Sequence, residues 1–239
     1  MRLLHQEGFQ QKNGRMRPLP SPRPKVQAVL PWPIGLLLVL CILPEGILQM
    51  ADHGVIGPPY LRSLAYTFGA FQPDMIATHG QIYQMQTLAM FITYGFLHTG
   101  LFHLAINMVG LVWLGRMVLE QRTAETFLTF YLLATIGAAE VFALIGAKGD
   151  TVVGASGALF GLLGVYVVDN GLLLHNAANH RILPQISRVL LMTLAVILSD
   201  LGSRIFLGMS VAWEAHAGGF LTGALVAMAA PPRKQPLAK

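Results

Sequence analysis

Apolar residues gather in six stretches of this chain: Pro33–Met50, Met85–Leu114, Phe127–Ile145, Val153–Leu174, Arg188–Leu201 and Val211–Ala230. A helix needs about 20 apolar residues to cross a bilayer, with latitude for tilt. The pattern predicts an all-α polytopic membrane protein with six transmembrane helices. The fifth stretch is the weakest, because Arg188, Asp200 and Arg204 sit at its ends. Pro44 and Glu45 predict a kink or an early end in the first. Between the first two lies a long connection, Ala51–Gln84, rich in Gly and Pro and interleaved with Tyr60, Tyr66, Phe68, Phe71 and Tyr83. A loop of that length is usually functional or partly structured, and its aromatic residues suit headgroup level. Short interfacial helices are expected around Tyr60–Phe71. The domain plan is a basic, Pro-rich tail over 1–30, a membrane domain over 31–230 and a short basic tail over 231–239.

Composition sharpens this picture. Only 11% of the residues are charged and 54% are hydrophobic, with a mean hydropathy of +0.57. Soluble domains carry roughly 25% charged residues. The balance argues against a soluble globule, a disordered chain or a nucleic-acid binder. The net charge of +5 is a matter of placement. With the N-terminus inside, thirteen of the sixteen Lys and Arg residues fall on the cytoplasmic side and three, Arg62, Lys148 and Arg204, on the other. Positive residues favour the cytoplasmic side, so both termini are expected there. Residues 1–30 hold six basic residues and Pro18, Pro20, Pro22 and Pro24, and are expected to form a flexible tail beside the membrane. The tail is long for a signal-peptide n-region and has no A-x-A site after it, so an uncleaved first helix is expected. The short six-span form and the lack of a transit peptide suggest a bacterial plasma membrane. A single cysteine, Cys41, leaves no intramolecular disulfide and no thiolate cluster.

Polar residues at membrane depth are costly and are functional candidates by default. Three groups stand out. His103 and Asn107 are four apart and share one helical face, with His98 five residues earlier. Ser156 lies between Gly154 and Gly157. His216 is followed by Gly218, Gly219 and Gly223. The second, fourth and sixth spans all begin on the outer side in this topology. Ser156, His216, His103 and Asn107 then share one depth on one side of the bilayer.

A serine hydroxyl is a poor nucleophile until a base takes its proton, and His216 can be that base. His103, Asn107 and the backbone N–H of Ser156 can donate to a developing oxyanion. Phe160 lies on the face of Ser156, where it can pack against the His216 imidazole. Each piece also has a plain structural reading. G-A-S-G is a common helix-packing patch, a lone buried histidine is usually just hydrogen-bonded, and H-x-x-x-N can cross-link helices. Together, at one depth, they favour chemistry. His98 and His103 are poorly spaced for a shared metal and no H-E-x-x-H set is present, so no metal or other cofactor is expected.

At these residues the sequence resembles the rhomboid intramembrane serine proteases. The resemblance rests on His103-Leu-Ala-Ile-Asn107, Gly154-Ala-Ser156-Gly157 and Ala215-His216-Ala-Gly-Gly219-Phe-Leu-Thr-Gly223. It implies a six-helix bundle with a water-filled cavity opening outward, Ser156 as nucleophile, His216 as general base, and His103 and Asn107 at oxyanion-hole positions. It implies cleavage of transmembrane protein substrates near the membrane face, with membrane lipid as the surrounding partner. Many members carry a W-R pair shortly before the second span, where this chain reads Ala89-Met90, and many carry tyrosine where this chain has Phe160. Two other readings stay open. One is a catalytically silent relative that binds transmembrane segments. The other is a small transporter, for which Glu140 and Asp169 are the buried-acid hints. The substrate and the oligomeric state are not legible in the chain.

Overall fold

The structure, a computed structural model, describes residues 9–12, 15–18, 29–147, 149–171 and 212–231. The chain divides into two compact units, Met1–Leu30 and Pro31–Lys239. In the first, β1 (Phe9–Lys12) pairs antiparallel with β2 (Arg15–Pro18), with Lys12 opposite Arg15. The expected flexible tail therefore contains a hairpin. The two residues between the paired ends are Asn13 and Gly14, the dipeptide that best suits a two-residue hairpin connection. The prolines of the segment fall at or beyond the last paired residue, where no ladder hydrogen bond is lost.

Among the described residues, the second unit is helical. Its helices are α1 (Trp32–Asp52), α2 (Leu61–Gly69), α3 (Pro73–Thr78), α4 (Gln86–Thr93), α5 (Leu101–Leu119), α6 (Ala124–Ile145), α7 (Ser156–Asp169) and α8 (Trp213–Ala229). Among the described residues, three helices are long and apolar enough to cross a membrane: α1, α5 and α6. The expected fifth span, Arg188–Leu201, lies outside the described residues.

Helix α1 continues through Pro44 to Asp52 without ending early. Its buried positions Ile34, Leu37, Cys41, Glu45, Leu48 and Ala51 recur every three or four residues and form one stripe. The opposite face exposes Leu36, Val39, Leu40, Leu43 and Ile47, an apolar surface suited to lipid.

The second apolar stretch, Met85–Leu114, is not one helix. It divides into α4, a 3₁₀ turn over Tyr94–Phe96 and α5. Leu97 turns extended, with ψ 149°, and Gly100 takes φ +153°, a conformation natural to glycine. Hydropathy continues across Leu97–Gly100, but the helical backbone does not. His98 consequently lies in the connection before α5.

Helices α6, α7 and α8 are held together by small residues. A Cβ on Gly161 would run into Ala134 of α6, and one on Gly219 or Gly223 of α8 into the backbone of Gly157 or Gly161 of α7. The pairings 157 with 219 and 161 with 223 make α7 and α8 parallel, so their N-termini lie at the same end. Thr222 and Val141 fill the Gly137 and Gly218 positions where α6 crosses α8. Close backbone approach of this kind is how helices gain packing contacts where surrounding lipid is as apolar as leucine.

At the other end, Arg122 ties three helix termini together. It forms a two-pronged ion pair with Asp169 at the end of α7, donates to the Ala230 carbonyl beyond α8 and stacks 5.1 Å over Phe130 of α6. Asp169 is thereby ion-paired within the fold. Glu140 is exposed on α6.

Candidate active site

Ser156 opens α7, so its side chain stands at a helix start, where the first-turn N–H groups have no partner in their own helix. The segment before it is pinned from three directions. Val152 exchanges both backbone hydrogen bonds with Phe71 at 3.0 Å. The Gly154 N–H donates to the Tyr94 carbonyl at 2.9 Å, while the Tyr94 hydroxyl donates to the Thr135 carbonyl of α6 at 2.7 Å. Gly154 has φ +128°, and a Cβ there would strike the His103 ring, 2.7 Å from Cε1. Glycine is needed at this position on both counts.

His216 comes from the first turn of α8, brought alongside by the glycine contacts one turn further on. Its Nε2 lies 2.9 Å from Ser156 Oγ. The Phe160 ring, one turn after Ser156, stacks on the imidazole with centroids 4.5 Å apart and planes 19° from parallel. His216 is buried and Ser156 is partly exposed.

His103 and Asn107 reach the same end from α5. Asn107 is buried and its Nδ2 donates to the His103 carbonyl at 2.8 Å, leaving its second N–H for another acceptor. His103 Nδ1 lies 3.1 Å from Thr99 Oγ1. His98 packs edge-on against the His103 ring at 5.2 Å. It is fully buried, and neither of its ring nitrogens has a well-formed hydrogen bond to a described residue. Ser156, His216, Phe160, Gly154, Gly157, His103 and His98 thus collect around the start of α7, with Asn107 one turn further along α5. Among the described residues, no group of three or more His, Cys, Asp or Glu side chains could hold a metal ion.

The Rhomboid domain model matches residues 80–233 of the chain. The chain belongs to the rhomboid family. It is 33% identical over 137 residues to RHOMBOID-like protein 5 of Arabidopsis thaliana, covering 53% of this chain and 39% of that protein. It is 29% identical over 115 residues to RHOMBOID-like protein 1 of the same plant, covering 48% of this chain and 27% of that protein. The matches thus span well under half the length of these curated relatives. The apolar helices together with the rhomboid domain make this a multi-pass membrane protein.

The rhomboid domain is steadied by a group that motif reading passed over. Arg62 of α2 contacts Glu45 of α1 at 2.9 Å through both Nη1 and Nη2, Asp52 at 2.6–2.7 Å, and the His98 carbonyl at 3.0 Å. The Tyr66 hydroxyl donates to that same carbonyl at 2.8 Å. Burial alone would depress the Arg62 guanidinium, but Glu45 and Asp52 prevail and hold it above arginine's ordinary value. The signal was available as a cost: a Glu within a span is expensive unless paired.

Proposed function

We propose that this rhomboid protein is an intramembrane serine endopeptidase working through a Ser156–His216 dyad. The observation that carries the reading is the 2.9 Å separation of His216 Nε2 and Ser156 Oγ at the partly exposed start of a buried helix. In the proposed reaction His216 Nε2 takes the hydroxyl proton as Oγ attacks a peptide carbonyl carbon. The carbonyl π pair moves onto oxygen, giving a tetrahedral oxyanion. When the C–N bond breaks, His216 returns the proton to the leaving amine. Water then attacks the acyl-enzyme with His216 again as base, and the serine is regenerated.

The oxyanion is assigned to the His103 ring, the second N–H of Asn107 and the backbone N–H of Ser156. Thr99 Oγ1 engages the His103 ring at Nδ1, and Nε2 is the nitrogen turned toward Gly154. The N-terminal end of α7 adds its partial positive charge. Alanine at Asn107 is expected to lower kcat by about 10²–10³-fold, the effect of losing one preorganised donor, while KM changes little. Steady-state cleavage of a transmembrane substrate in proteoliposomes measures this, and an unchanged kcat removes Asn107 from the assignment.

Substrates are proposed to be transmembrane proteins cut near the outer membrane face. The proposal includes six spans and both termini on the cytoplasmic side, supported by the distribution of basic residues. The short six-span form and the lack of a transit peptide suggest a bacterial plasma membrane, but the curated relatives are plant proteins and lend that compartment no support. A transporter reading gains little from Asp169, which is paired with Arg122 within the bundle.

Purified wild-type protein is tested with a fluorophosphonate probe and with a model transmembrane substrate. Covalent labelling of Ser156 together with substrate cleavage is expected. Folded protein that neither labels nor cleaves would favour the catalytically silent relative.

A further inference from the structure

Resting on the protease reading, we infer that Arg62 is a positioning residue that sets His103 in the oxyanion site through the backbone of His98. His98 lies where the chain has left the 3₁₀ turn and has not yet entered α5, so no helix fixes its carbonyl. Two side chains of α2 do so instead, Arg62 at 3.0 Å and Tyr66 at 2.8 Å. Arg62 is itself fixed from the other side by Glu45 and Asp52 of α1. The carbonyl is therefore referenced to a membrane-crossing helix.

From that carbonyl the site is two contacts away. The buried His98 ring packs on His103, and the hydroxyl of the next residue, Thr99, meets His103 Nδ1. A shift of the His98–Thr99 unit changes both the ring's packing and its contact at Nδ1. The guanidinium is suited to this task by shape. Its planar fork presents several donors in fixed directions, so one side chain serves two carboxylates and a carbonyl together. Lysine keeps the charge but cannot reproduce that geometry.

The experiment compares wild type, Arg62→Lys, His103→Ala and the double variant in proteoliposomes, reading kcat, KM and thermal unfolding. Arg62→Lys is expected to keep its melting temperature within a few degrees and to lose about tenfold in kcat with KM within about twofold, because misplacing a preorganised donor affects the reacting complex. In the His103→Ala background the same change is expected to cost less than about twofold, since the group it positions is already gone. An unchanged kcat in Arg62→Lys, or an equal loss with and without His103, overturns the inference. Glu45→Gln with Arg62→Gln removes both charges at once and avoids stranding a buried carboxylate. If these variants only melt earlier while folded molecules keep full kcat, the cluster is structural and the inference fails. Wild-type protein that neither labels nor cleaves removes the protease reading itself. Active wild type with additive variants removes only the role of Arg62.

Discussion

Alanine at His216 is expected to lower the turnover of a transmembrane substrate by roughly 10⁴–10⁶-fold, the range found when a member of a serine–base unit is removed. The size of the effect has a local chemical origin. Nε2 lies within hydrogen-bond distance of Ser156 Oγ, and without it the hydroxyl proton has no acceptor of suitable basicity among the described residues. Phe160 stacks on the ring but offers no lone pair. Alanine at Ser156 is expected to give the same loss, and the double variant no greater loss than either one. Groups that act as a unit fail together, so the free energies do not add. The check is substrate cleavage at matched protein concentration, with thermal unfolding confirming that each variant is folded. A Ser156→Ala protein that still cleaves, or a double variant far slower than either single, contradicts the dyad.

A second large effect is expected at Gly219. A Cβ there would collide with the carbonyl of Gly157 in α7. Backbone cannot step aside as a flexible side chain can, so α7 and α8 must separate. Overpacking a tight contact typically costs about 1–3 kcal/mol, and a backbone clash lies at the upper end. Gly219→Ala is therefore expected to lower the unfolding midpoint clearly in detergent or bicelles. Activity should fall further than stability, because His216 sits one turn before Gly219 and moves with it. Gly46→Ala is the control: a Cβ at Gly46 meets nothing within 4 Å. Its expected change is within about 0.5 kcal/mol. Equal unfolding of Gly219→Ala and wild type would rule out the close α7–α8 contact.

Much of the site's layout was legible because topology acts on depth. Once Ser156 and His216 were both placed at the outer starts of their spans, only lateral proximity was missing, and the glycines at 157, 161, 219 and 223 supply it by letting two parallel helices touch. A short helix in this connection, α2, could be anticipated from aromatic residues among glycines and prolines. The break at Leu97–Gly100 could not be read from hydropathy, which averages side chains and ignores backbone dihedrals. The N-terminal hairpin was hidden by proline content, although Asn13-Gly14 was a local signal for it. Arg62 and Glu45 looked like isolated charges because the chain between them turns back before they meet. Motif reading finds residues at fixed spacing, and this pair has none.

The length of α7 bears on how the protein is made. Fourteen residues rise about 21 Å, while the hydrocarbon core is about 30 Å thick. Such a segment, with glycine at 157, 161 and 164, has little to gain from partitioning into lipid alone. Nearly all of its surface is instead taken up by α5, α6 and α8. Biogenesis then divides into two stages: α1, α5 and α6 are able to enter the bilayer as independent hydrophobic units, whereas α7 enters as a folding event. That event waits on α8, whose complementary glycines are synthesised more than forty residues later, so Ser156 and His216 come together only when α8 docks.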